Sequence, residues 1–139
     1  VSHDYVVRGE RDDANERFKV IIESYLAPDD AAPGRWLRAY VRALCGGSEE
    51  AARYFDTAPA WNGLFSAEGG PAIMGAEAAW WTGSFADDGL DPQRVQIVRR
   101  AAEGIAAAWC FGEESDDSVA TGGAVLLQMT MADGPLAAS

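Results

Sequence analysis

The hydrophobic positions fall into two patterns that divide the chain. In the first part they recur at helical spacing. Phe18, Ile21, Ile22, Tyr25 and Leu26 lie at i, i+3, i+4, i+7 and i+8, which places them on one face of a helix with Asp12 or Asp13 as its cap. After the Pro- and Asp-rich turn Ala27–Gly34, Leu37, Val41 and Leu44 form a second stripe, beside Trp36 and Tyr40, over a helix from Arg35 to Leu44 that Gly46 and Gly47 end. A third, short helix is expected from Ser48 to Phe55 and a fourth from Ala76 to Phe85.

In the second part the pattern is read as alternation. Val95 and Ile97 alternate with polar neighbours over Arg94–Ala101. Ile105, Ala107, Trp109 and Phe111 share one face, and Ala106, Ala108 and Cys110 the other. Val119–Met131 reads as a last strand, with Gly122 and Gly123 as a bulge, and Ala60–Phe65 as a first one. The expected fold class is therefore α+β: a cone-shaped domain whose strongly curved antiparallel sheet packs against N-terminal helices. Residues 1–11 are expected to be a flexible arm and residues 12–139 a single domain.

Composition narrows the function classes. The formal net charge of −11 repels a nucleic-acid backbone and an anionic membrane surface, so neither is expected as a partner. No apolar run approaches the length of a membrane span and no secretory signal opens the chain, which gives an expectation of a cytoplasmic protein. Lys19 is the single lysine among 11 basic residues, and this Arg bias, with abundant Ala and Gly, suggests a GC-rich bacterial genome. Cys45 and Cys110 have no CxxC spacing and His3 is the one histidine, so no metal site and no cofactor are expected, and both thiols read as free.

The order of elements and several short stretches resemble the ketosteroid-isomerase and SnoaL-like superfamily over about Arg35–Ala138. They are Ala39–Gly47, Ser48–Phe55, Met74-Gly75 followed by Ala76–Trp81, and Val119–Gly134 with its Asp133-Gly134 turn. The resemblance places Tyr40 at the position of an oxyanion-hole tyrosine. It places Trp61, Asn62 and Gly63 near the general-base aspartate and Leu126 or Leu127 near the second acid, so two of three isomerase roles lack their residues. What it implies instead is a polyketide-pathway cyclase of the indanomycin or polyether type, in antibiotic biosynthesis. Such an enzyme would fold an apolar intermediate inside an aromatic pocket, with a cycloaddition as one route open to it.

Tyr40 and Asn62 are the candidate catalytic donors, and Trp61, Phe65, Trp81, Trp109 and Leu126 the candidate substrate-binding wall. An epoxide hydrolase or double-bond isomerase is one alternative. A non-catalytic small-molecule-binding or dimerisation module is another. The expected partners are an apolar small molecule and a second copy of the chain, paired through the sheet.

Overall fold

The computed structural model describes residue 16, residues 19–46 and residues 83–131. Its main elements are three helices: α1 (Arg35–Cys45), α2 (Pro92–Cys110) and α3 (Asp116–Met129), each of which packs on the other two. Residues 19–24 and 83–86 are also helical, and no strand occurs among the described residues.

The first helices follow the sequence expectation. Ile21 and Ile22 are buried, and α1 covers the expected Arg35–Leu44 with one residue more. Because α1 is the central element, it buries almost all of its circumference, including Arg38 and Tyr40. The helical residues 83–86 fall at the end of the expected Ala76–Phe85 helix, with Phe85 in the core. The N-terminal arm 1–11, the helix Ser48–Phe55, the strand Ala60–Phe65 and the Asp133-Gly134 turn lie outside the described residues.

The second half corrects the α+β reading. Arg94–Ala101 and Ile105–Phe111 are not two strands: nearly all of both belongs to the one helix α2, and most of Val119–Met131 belongs to α3. These segments therefore build no curved sheet and offer no sheet face to pair through. The alternation over Ile105–Phe111 depends on alanines on both faces, and alanine is the best helix former. The buried residues of α2 are Arg94, Val95, Val98, Ala102 and Ala106, whose spacing is helical and not alternate.

Local signals at the ends of these helices agree. Asp91 caps α2 by accepting from the Arg94 N–H, and Pro92 stands at the first helical position. Ser115 caps α3 by accepting from the Ser118 N–H, with Asp116 and Asp117 in the first turn. Between them, Gly112 at φ 75° closes α2. Its N–H bonds the Trp109 carbonyl, and the Glu113 N–H bonds that of Ala108, the paired pattern that requires a left-handed residue after a helix.

Gly122 and Gly123 are not a bulge. They sit inside α3, where a Cβ on Gly122 would lie 3.0 Å from Ile105 Cδ1 of α2 and one on Gly123 would lie 2.8 Å from Cys45 Cβ of α1. The missing side chains let α3 approach both neighbours closely, which offsets glycine's poor helix propensity.

Candidate functional site

Three features around the helix core carry polar chemistry or an unsatisfied surface. The first is the junction where the 25–34 loop enters α1. Gly34 takes φ 91° there, and the Asp88 carboxylate accepts from the Leu37 N–H at 2.9 Å while its backbone carbonyl accepts from the Gly34 N–H at 3.1 Å. A residue from another segment thus caps α1. Burial pushes the Asp88 carboxyl above its ordinary value, against the opposing effect of these N–H donors.

Arg38, only 4% exposed, grips the same loop. Its Nε and one terminal nitrogen bond both oxygens of Asp30 at 2.7 and 2.8 Å, and the terminal nitrogens also reach the carbonyls of Pro33 and Ala32. The hydrogen bond from Arg38 holds the Asp30 carboxyl below its ordinary value. Arg94, 5% exposed, reaches across to the end of α3, where it donates to the carbonyls of Met129 and Met131 at 2.6 and 3.0 Å. Every one of these contacts is a clamp between segments, and none exposes a reactive group.

The second feature lies on the seam between α1 and α2. Tyr40 donates to Glu103 Oε1 at 2.7 Å; Arg99 Nε donates to the same oxygen at 3.0 Å, and Arg100 to Oε2 at 2.9 Å. Phe85 stands edge-to-face with Tyr40, ring centroids 5.1 Å apart, and the Arg99 guanidinium lies 5.2 Å from the Phe85 ring centre.

The third is the outer side of the α2–α3 hairpin. On α2 the stripe Ile97, Ala101, Gly104 and Ala108 lies at helical spacing on the flank away from Glu103, and on α3 Thr121, Val125 and Gln128 lie opposite the buried Gly123. None of these seven residues is charged, and Arg100, 62% exposed, borders the stripe one turn from Ile97 and from Gly104. Ile97 and Val125 are each 50% exposed and Phe111, at the end of α2, is 73% exposed.

The residues expected to form an aromatic pocket are placed differently from one another. Tyr40 is buried with its hydroxyl on Glu103, and Leu126 is buried in the core on α3. Trp109 packs against that core at the far end of α2 and donates its indole N–H to Asp116 at 2.7 Å, tying α2 to the start of α3. Asn62, Trp61, Phe65 and Trp81 lie outside the described residues. Glu103, Arg99 and Phe85 escaped the sequence reading, because a strand over Arg94–Ala101 separates Arg99 from Glu103, whereas one helical turn joins them.

Cys45 and Cys110 form no disulfide; burial pushes the Cys45 thiol up to about 11, so it stays protonated at neutral pH. Among the described residues no group of His, Cys, Asp and Glu is arranged to hold a metal ion, and no helix is long and apolar enough to cross a membrane.

No curated protein and no solved structure matches the chain. A family model described as the tetracyclin repressor-like, C-terminal domain matches residues 34–121. This match and the helices over 92–129 overturn the resemblance to ketosteroid isomerases and SnoaL-like proteins. The polyketide-cyclase reading falls with it, together with the cycloaddition, the antibiotic-biosynthesis role and the enzyme assignment, since such domains are typically parts of non-enzymatic regulators. The epoxide-hydrolase and isomerase alternatives rested on the same cone and go too, whereas the non-catalytic binding module is closer to the finding. With residues 34–121 matched, more than half of its 139 residues, the chain belongs to the tetracyclin repressor-like C-terminal domain family.

Proposed function

We propose that this chain is the ligand-sensing and dimerising domain of a transcription regulator. The observation that carries the reading is the uncharged stripe on the outer side of the α2–α3 hairpin, bordered by Arg100, with Ile97 and Val125 half exposed on it. At a two-fold interface each residue meets its own copy or a near neighbour, so a charged face would set like against like. Two copies that each carry −11 therefore associate most favourably through a face without charge. Gly104 supports the same reading. It is exposed in the middle of α2 and a Cβ there would meet nothing within 4 Å in the chain, which suits a backbone that another molecule approaches closely.

The small-molecule effector is taken into the helical interior, in the manner of a regulator's sensing domain. The acidity of this domain keeps it off DNA, and contact with an operator falls to a separate N-terminal domain of such a regulator.

Light scattering on the 139-residue chain tests the dimer. The expected result is twice the chain mass at micromolar concentration, with an interface of at least about 1,000 Å². Val125→Arg is expected to weaken association by at least about 100-fold, because it sets two guanidinium groups against each other in a desolvated contact. A monomer at high micromolar concentration, or a dimer indifferent to Val125→Arg, would remove the hairpin interface.

A further inference from the structure

We infer that the α1–α2 seam around Arg99 is a recognition site for the carboxylate of an apolar small molecule; this rests on the ligand-sensing reading above and names its ligand class. Arg99 is only 13% exposed, yet it uses one of its three nitrogens: Nε bonds Glu103. Among the described residues its two terminal nitrogens have no hydrogen-bond partner. Arg38 shows how this chain treats a buried guanidinium that serves packing alone, since all three of its nitrogens are bonded. A mostly buried cation with four unused N–H groups has a donor surplus that costs free energy until an acceptor arrives.

Among the described residues the surroundings of Arg99 offer no free acceptor. Both Glu103 oxygens are taken, one by Tyr40 and Arg99 and the other by Arg100. Trp36 stands one helical turn before Tyr40 on the same face of α1, and among the described residues its Nε1 is the one buried side-chain polar atom without a partner. Among the described residues, two arginines against one glutamate give the cluster a net positive charge inside a chain whose total is −11.

That total disfavours long-range attraction of an anion, so recognition has to come from contact geometry. The two terminal nitrogens of a guanidinium form a planar fork that matches the two oxygens of a carboxylate. Phe85, 1% exposed and 5.2 Å from the guanidinium carbon, backs the fork from within the core, and the partly exposed ring of Trp36 is the apolar surface for the body of the same molecule.

Calorimetric titration of the full chain with sodium octanoate and with octan-1-ol separates the carboxylate from the apolar tail. Octanoate is expected to bind at least about tenfold more tightly than the alcohol, the scale of a charge-assisted pair. Arg99→Gln should abolish that preference while leaving octan-1-ol binding in place, and Arg99→Lys should keep part of it, because a point charge remains and the fork is lost. Arg100→Gln should reduce the preference less than Arg99→Gln does, since this residue is 62% exposed and screened by water.

Circular dichroism on each variant distinguishes loss of the site from loss of the fold, and the lysine variant carries the test if the glutamine one unfolds. Equal binding of acid and alcohol, a preference that survives Arg99→Gln, or no binding of octanoate would overturn the inference. If any of these occurs in a chain that light scattering shows to be a dimer, the carboxylate site fails and the regulator reading stands.

Discussion

The junction at the start of α1 and the outer side of the α2–α3 hairpin reverse the usual placement of charge. At the junction two arginines, Arg38 and Arg94, are almost completely buried, and Arg38 has every nitrogen bonded. On the hairpin Ile97, Phe111 and Val125 stand in solvent. Buried charge persists where each donor finds a fixed acceptor, because a lone buried ion is expensive. Exposed apolar side chains gathered on one uncharged face point instead to something that covers them. The first region holds the fold together and the second is what the fold presents.

The largest effect on this contrast is expected at Gly34. Its φ of 91° is one that an L side chain adopts with strain, and a Cβ would sit 2.5 Å from Leu90 Cδ1 and 3.0 Å from the Thr130 carbonyl oxygen. Gly34→Ala is expected to cost about 3–5 kcal/mol, combining left-handed strain with overpacking. Urea unfolding of the variant measures it, and a loss under about 1 kcal/mol would show that the junction can relax.

Next comes Arg38→Met, which keeps volume but removes the fork. The expected loss is about 2–4 kcal/mol, below that of a fully enclosed pair, because the Asp30 side chain is 20% exposed and regains water.

The pH dependence divides between the two carboxylates of the junction. Asp30 has a folded-state pKa lowered from 3.8, so the stability it contributes is present above 3.8 and is lost as pH falls through its folded value. Asp88 is raised from 3.8, so its protonated form favours folding. That contribution is complete below 3.8 and fades as pH rises through the raised value. Acidification should therefore first strengthen the junction through Asp88 and then weaken it through Asp30. Asp88→Asn should flatten the upper arm of a stability–pH curve and Asp30→Asn the lower one. Identical curves for wild type and both variants would exclude the junction as a source of pH dependence.

The smallest effect decides the most about the hairpin. Gly104→Ala should stabilise an isolated chain by up to about 1 kcal/mol through helix propensity, since nothing in the chain stands near its Cβ position. If a second backbone approaches there, the same change should weaken the dimer. Thermal unfolding at low and high protein concentration reads both, and a gain at every concentration would place the contact elsewhere on the hairpin.

Of the elements, those whose signals are local were legible in the chain. The stripe Leu37, Val41 and Leu44 with a Gly-Gly stop is enough to set α1, because helix formation there depends on neighbours within a few residues. The same kind of signal was present at Asp91-Pro92 and Ser115-Asp116-Asp117 but was outweighed by an alternation that alanine and glycine, small enough for either face, do not specify. Tyr40 was legible as a polar tip on an apolar helix. Its partner was not, since Glu103 lies 63 positions away.

What the sequence by itself determined is therefore the helical stripes, the caps and the acidic total, each set by residues next to one another or by simple summation. Tertiary structure alone decided that Asp88 caps a helix 51 positions back along the chain, that Gly122 and Gly123 mark close helix contacts and not a bend, and that Arg38 is saturated while Arg99 is not. These depend on which surfaces meet, and helix packing brings together side chains whose separation along the chain carries no trace of their contact.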